Sequence, residues 1–185
     1  MKLLQDLKAN KSNPKGAILL LAFRVAHALR FGPWWLLPIA ALYGITYRVL
    51  VEWVLGVELP WKTKVGSGLR LEHGQGLVVN DGTVIGAGCT LRNGVTIGIK
   101  QLEGGGFSAA PVLGNRVDVG ANALIIGPIH VGDDVVIGAG AVVVKDVPNR
   151  AVVAGNPSRI LRIKPESGNP TSAEVQPSDA PDHQV

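Results

Sequence analysis

A branched aliphatic residue returns every six positions through the middle of the chain, at Val65, Leu71 and Leu77, at Ile85, Leu91 and Ile97, and at Leu113, Val119, Ile125, Val131, Ile137 and Val143. This period fits neither a helix nor a simple alternating strand. It fits short strands wound around a three-sided prism, six residues to a side, with the aliphatic anchors pointing inward. A second inward residue follows four positions later at Leu69, Cys89, Val95, Val117, Ala123, Ile129, Val135, Ala141 and Val147. Gly66, Gly86, Gly98, Gly114, Gly120, Gly132 and Gly138 come directly after anchors, where a corner bends the backbone and leaves little room for a side chain.

Two steps break the period. The anchors Leu77 and Ile85 are eight residues apart, which predicts a two-residue bulge near Asn80 to Gly82. Ile97 and Leu113 are sixteen apart, which predicts a loop over about residues 99–112 containing KQLEGGGFSA. Such a glycine-rich excursion from a rigid scaffold is a natural place for binding groups. Residues 1–57 lack the period and read as two or three helices, with Pro33 as a separator and Pro38 and Gly44 as expected kinks. The prism domain is expected over 58–164. Residues 165–185, rich in Pro, Ser, Asp and Glu, read as a disordered tail.

The chain of 185 residues is 46% apolar and 17% charged, which suits one folded body with an appendage. Its net charge of +4 is split along the chain, basic at the start and around Lys145 to Lys164, acidic in the tail. No basic stripe is interleaved with aromatics, and only 5% of residues are aromatic, so a nucleic-acid partner is not expected. The single cysteine, Cys89, sits at an inward position and reads as a small buried filler. Asp6 interrupts the basic start and no small-residue cleavage site follows, so no cleavable signal is read and the cytoplasm is the expected compartment. The seventeen residues from Phe31 to Tyr47 carry no charge, slightly fewer than the ~20 a spanning helix needs. Trp34, Trp35, Tyr43, Tyr47 and Trp53 either pack together as a cap on the open prism end or, with Lys8, Lys11, Lys15, Arg24, Arg30 and Arg48 nearby, seat residues 1–57 at the inner face of a membrane.

His73 is the one histidine inside a stretch of unusual neighbours, LRLEHGQGLVVN, at an outward corner position. Glu58 precedes it by fifteen residues, close to the eighteen of one coil, so the two are expected beside one corner on successive coils. A carboxylate beside an imidazole fixes its tautomer and steadies the imidazolium, which makes a general base. On spacing alone a surface histidine without a role is an equal reading. A metal site is not expected, because three histidine ligands are wanted and the prism offers only His73 and His130. Gly104 to Gly106 lack the following Lys-Ser or Lys-Thr of a phosphate loop.

The run LEHGQGLVV, the eight-residue step, the RNGVTIG coil, the extruded loop and the exit AVVAGNPSRIL together resemble the serine acetyltransferase branch of the hexapeptide-repeat acyltransferases, over about residues 58–162. DLKANKSNPKGAILLLAFRVAHALR and LYGITYRVLVEWVLGVELP resemble, within it, the colanic-acid-type acetyltransferases of bacterial exopolysaccharide synthesis, extending the likeness to residues 5–162. The resemblance implies an all-β main domain that is a left-handed parallel β-helix, a homotrimer, and acetyl transfer from acetyl-CoA at clefts between subunits. It assigns His73 as the base that deprotonates the acceptor hydroxyl and Glu58 as the carboxylate that orients it. It places Glu72 at the substrate. The oxyanion formed in such a transfer calls for a backbone amide, which a glycine-bearing coil edge such as Gly94 or Gly98 can provide, and Gly98 is expected at the substrate. The resemblance lays CoA against Ala121 and Ala139, with Lys145, Arg159 and Lys164 near the nucleotide.

The serine enzymes carry an Arg-His pair in the extruded loop, where this chain has Ala109 and Ala110. The expected acceptor is therefore a sugar hydroxyl of an exopolysaccharide or its lipid-linked precursor. Serine O-acetylation, or a non-catalytic β-helix scaffold, is the alternative.

Overall fold

The computed structural model describes residues 2–165. The expected tail therefore lies, apart from Pro165, outside the described residues. Residues 57–154 wind as a parallel β-helix with three faces. Face one stacks Val57–Glu58, Leu77–Val79, Thr96–Gly98, Leu124–Ile126 and Val142–Val143. Face two stacks Lys64–Val65, Val84–Ile85, Val112–Leu113 and His130–Val131. Face three stacks Arg70–Glu72, Thr90–Arg92, Asp118–Val119, Val136–Ile137 and Ala151–Ala154, and Arg159–Ile163 folds back antiparallel at its far end.

The interior is the register read from the sequence. Every anchor from Leu71 to Val143 is buried, and so is each second inward residue from Leu69 to Val147; Val65, at the open end, is half-buried. Glycine after an anchor is a matter of close approach. A Cβ on Gly66 would stand 2.5 Å from the amide nitrogen of Ala87 on the next coil.

The two-residue insertion is not at Asn80 to Gly82. Glu72 pairs with Arg92, a separation of twenty, whereas Val78 pairs with Thr96, a separation of eighteen. Gly94 donates its amide to the carbonyl of Gln75 at 2.9 Å, so Gln75 already stands beneath Asn93. The extra pair is therefore His73-Gly74. Leu77 and Val79 both point inward, and Val79, not Leu77, is the partner of Ile97.

Two helices close the first coil: α1, Pro14–Arg30, and α2, Leu37–Tyr47, which continues as a π-helical segment Arg48–Val54. Asn13 caps α1, accepting the Gly16 amide at 3.2 Å, and Pro14 occupies the first turn, where its missing N–H costs nothing. Pro38 likewise sits in the first turn of α2, so it starts that helix rather than kinking it. Gly44 is buried against the Trp61 ring.

An end coil exposes a row of unpaired strand groups, which must find partners. Side chains of the N-terminal segment supply them. Asp6 accepts the Leu69 amide at 3.0 Å, and Asn10 accepts from Leu71 at 3.0 Å while donating to the Leu69 carbonyl at 2.7 Å. Arg24, 2% exposed, donates to the Val65 and Gly66 carbonyls at 2.8 and 2.6 Å and pairs with Asp6 at 2.7 Å. His27 Nδ1 meets the Trp61 carbonyl at 2.6 Å, and the Tyr47 hydroxyl donates to that of Leu59 at 2.8 Å. The cap thus consists of polar groups and the buried face of α1 (Leu19, Leu20, Phe23, Ala26), joined by Tyr47. Of the five aromatics read as either a cap or a membrane seat, Tyr43 and Tyr47 pack on the core, whereas Trp34, Trp35 and Trp53 are exposed and take no part in the cap.

Candidate active site

The corner between faces three and one carries the histidine. Regular coils turn there with one left-handed residue, Gly76, Gly94, Asn122 or Gly140. The inserted pair adds two more, His73 at φ 67° and Gly74 at φ 65°. The corner between faces two and three uses its own regular left-handed positions, which Arg116, Asp134 and Arg150 occupy in later coils. His73 is therefore the one non-glycine residue, among those described, that is left-handed outside the repeating pattern. It is exposed and projects from the base of a column formed by Gln75, Asn93, Ala121 and Ala139. Gly94 donates to Gln75, Asn122 to Asn93 and Gly140 to Ala121, at 2.9, 2.9 and 2.8 Å. Three rungs of ~4.8 Å separate Gln75 from Ala139, a rise of roughly 14 Å.

The predicted partner of His73 lies elsewhere in register. Glu58 stands opposite Val78 on face one, and no hydrogen bond or ion pair joins it to His73 among the described residues. The inserted pair is the reason, because it moves the imidazole out of the rung that a fifteen-residue spacing implies. The two segments still touch. Gly76 donates to the Gly56 carbonyl at 2.8 Å, and a Cβ on Gly74 would meet Val57 Cγ2 at 3.8 Å.

Glu72, expected at the substrate, is engaged by two guanidinium groups. Oε1 meets Arg70 at 2.7 Å and Oε2 meets Arg92 at 2.8 Å. Arg92 continues the ladder to Asp118 and to the Val119 carbonyl. The hydrogen bond that Arg92 donates to Asp118 and the charges of the two carboxylates push its pKa up against the opposing effect of burial. With both oxygens paired, Glu72 is a poor receptor for a substrate ammonium group. The Gly94 amide is likewise engaged by Gln75, which removes it as an oxyanion donor, and Gly98, at the end of its strand on face one, is paired in the ladder with Ile126 of the next coil.

The CoA candidates fall into two groups. Ala121 and Ala139 stack in the His73 column, and Arg159, paired with Ala154, is exposed near its top. Lys145 follows the last strand of face one, at the corner toward face two. Lys164, whose amide donates to the Arg150 carbonyl, lies at the corner between faces two and three. These three cations are therefore not brought together: Lys145 follows a strand of another face, and Arg159 and Lys164 stand at opposite ends of the antiparallel strand Arg159–Ile163.

A cleft of about 660 Å³ covers face one. Glu58, Val78, Thr96 and Gly98 form its floor, and the π-helical segment supplies a wall with Arg48, Glu52 and Trp53. Trp61, Lys62, Asn80 and Asp81 complete it. His73 is not in the lining; its corner bounds the end of the face where Val78 begins. Burial raises the pKa of Glu52 and nearby Glu58 adds to the rise, against the Arg48 charge. Of the two aromatic groups of this cleft, Trp53 belongs to the cluster read from the sequence and Trp61 does not.

The extruded loop is a short hairpin, bridged at Gln101 and Phe107, with Gly104, Gly105 and Gly106 all left-handed. It leaves the opposite edge of face one from His73. Cys89 is fully buried, and burial pushes its thiol up, as suits a filler. Among the described residues no three His, Cys, Asp or Glu side chains converge as metal ligands.

No family model matches the chain. It is 36% identical over 169 residues to Escherichia coli WcaB, named as a colanic acid biosynthesis acetyltransferase, covering 88% of this chain and all of that one. The chain belongs to the hexapeptide-repeat acetyltransferases. It is also 38% identical over 143 residues to a serine acetyltransferase of Helicobacter pylori, covering 77% of this chain and 78% of that one. Among solved structures, the apoenzyme of soybean serine acetyltransferase superposes with a TM-score of 0.71 at 30% identity, over 86% of this chain and 67% of that one. A serine acetyltransferase in complex with CoA superposes at 0.68 with 27% identity, over 86% and 67%. Membership makes this chain an acetyltransferase; identities this similar do not separate a saccharide acceptor from serine.

Proposed function

We propose that the protein transfers an acetyl group from acetyl-CoA to a sugar hydroxyl in exopolysaccharide synthesis, with His73 as general base. The observation that carries the choice of acceptor is the cleft on face one. It is walled by Trp53 and Trp61 and ringed by Glu52, Glu58, Asn80, Asp81 and Lys62, a mixture of flat apolar surface and hydrogen-bonding groups suited to a sugar ring. Recognition of serine calls for a cation toward its carboxylate and a free acid toward its ammonium. Ala109 and Ala110 provide no cation, and Glu72 is held by Arg70 and Arg92.

In the proposed step the His73 imidazole accepts the hydroxyl proton as the oxygen attacks the thioester carbonyl. The tetrahedral oxyanion is held by a backbone amide at the edge of the site. Collapse breaks the carbon–sulfur bond, the imidazolium returns its proton to the thiolate, and the acetyl ester and free CoA leave a neutral histidine. Acetyl-CoA lies along the column from Asn93 through Ala121 and Ala139, its phosphates toward Arg159. Lys145 and Lys164 then contribute from a neighbouring protomer of a homotrimer, which is also where the extruded loop approaches His73. Glu58 braces His73 by a side-chain rotation from the adjoining coil.

The test measures CoA release with acetyl-CoA and either saccharides or serine. Sugar-dependent release, with none above background for serine, is expected; the reverse preference overturns the reading. Glu58→Gln should lower turnover, but no further in a His73→Asn background.

A further inference from the structure

Beside the cleft lies a second cavity, a groove of about 510 Å³ between α1 and α2. Its surface is made of Ala26, Ala40, Ala41, Gly44, Ile45 and Val49, with Arg30 and Arg48 as its charged members. Small side chains on both helices hold it open. Arg48, Trp53 and Trp61 line the groove and also line the cleft on face one, so the two cavities meet at these residues.

We propose that groove and cleft form one site for an anionic lipid-linked saccharide, with hydrocarbon in the groove, phosphate at Arg48 and sugar in the cleft. This rests on the sugar-acceptor reading above and names the substrate class. The order of chemistry along the path matches such a molecule. The apolar stretch accepts a chain without hydrogen-bonding demand. At the junction, the Arg48 guanidinium stacks 5.2 Å from the Trp61 ring centroid and pairs with Glu52 through Nε at 3.4 Å, leaving its terminal amino groups for a phosphate. Beyond it, Glu52, Glu58, Asn80 and Asp81 offer partners for hydroxyls.

The outer surface of α2 and of the helical turns that flank it has a related property. Trp34, Leu42, Trp53 and Val54 are 81, 69, 75 and 69% exposed, so the groove opens beside a surface that tolerates lipid. The helical stretch Trp34–Val54, at 21 residues, is long and apolar enough to cross a membrane. Its C-terminal part is nevertheless held to the prism by the Tyr47–Leu59 hydrogen bond, and the first strand begins at Val57. A span would break that seat; a lipid entering the groove leaves it intact.

The test uses the full chain without acetyl-CoA, titrated with farnesyl phosphate, farnesol and inorganic phosphate and followed by tryptophan fluorescence and calorimetry. Farnesyl phosphate should bind at least tenfold more tightly than farnesol, and inorganic phosphate weakly. Arg48→Gln should abolish that preference while farnesol affinity is kept, and Arg48→Lys should restore part of it. Ala41→Trp, whose parent residue is exposed, should block both ligands with an unchanged melting temperature. Equal affinity for farnesyl phosphate and farnesol, or wild-type binding by Ala41→Trp, overturns the proposal. So does binding only to phosphatidylglycerol vesicles, which would make the face a membrane contact. Because the assay involves no acetyl transfer, its failure leaves O-acetylation of soluble sugars standing, and failure of that activity leaves the lipid result standing.

Discussion

Replacing His73 with glycine separates a catalytic histidine from a structural one. His73 holds φ 67° with an exposed side chain. An L-residue pays roughly 1–2 kcal/mol for that conformation, and histidine falls toward the low end because it visits the region more readily than most residues. Glycine relieves the strain but adds about 0.5–1 kcal/mol of unfolded-state entropy. The terms nearly cancel, so stability should stay within about 1 kcal/mol of the parent, or about 2–4 °C in melting temperature for a chain of this size. Turnover, measured as CoA release with saturating acetyl-CoA and a sugar acceptor, should fall about a hundredfold or more. His73→Asn is the companion, since asparagine also accepts the left-handed region but provides no base. Activity within tenfold of the parent in either variant refutes the role, and a melting temperature lowered by more than about 8 °C shows that the residue serves the turn.

Other consequences follow from the cap, the corners and the core. Arg24→Leu strands the buried Asp6 carboxylate and the Val65 and Gly66 carbonyls, and should cost about 3–5 kcal/mol in urea unfolding. Gly66→Ala sets a methyl group against backbone that cannot yield, with an expected loss of about 1–3 kcal/mol on the same assay. Cys89, fully buried and with its thiol pushed up, should resist a thiol reagent at pH 8 in the native chain and react once urea unfolds it.

The prism was legible because every side of every coil imposes the same inward demand, which a six-residue period records directly. The insertion was misplaced for a specific reason. Leu77 and Val79 are both apolar and both inward, so the pattern allows two alignments with Ile97, and hydrogen bonding from Gly94 to Gln75 selects the one that puts the extra pair at His73. The same displacement undoes the arithmetic that set Glu58 level with His73. The fates of Lys145, Arg159 and Lys164 were hidden because cations outside the core have no inward register to reveal their corner. The polar cap was equally silent: the need of Leu69 and Leu71 for partners comes from their place at a sheet edge, and Asp6 and Asn10 meet it from about sixty residues away.

That cap also bears on why the outside of α2 is apolar. α1 and its polar neighbours supply most of the closure of the first coil, while α2 and its continuation bury little beyond Gly44, Tyr47 and Val51. If the outer face of α2 served folding, polar substitution there would be costly; if it serves lipid, the cost would appear only in binding. Leu42, 69% exposed and outside both cavities, gives the measurement. Leu42→Gln should change stability by no more than about 0.5 kcal/mol, whereas Leu20→Ala, at a position with no exposure, should cost about 2–5 kcal/mol. Leu42→Gln should also weaken adsorption to phosphatidylglycerol vesicles. A loss for Leu42→Gln approaching that of Leu20→Ala would mean that a second copy or another element covers this face in solution, and that its apolar character belongs to assembly rather than to lipid.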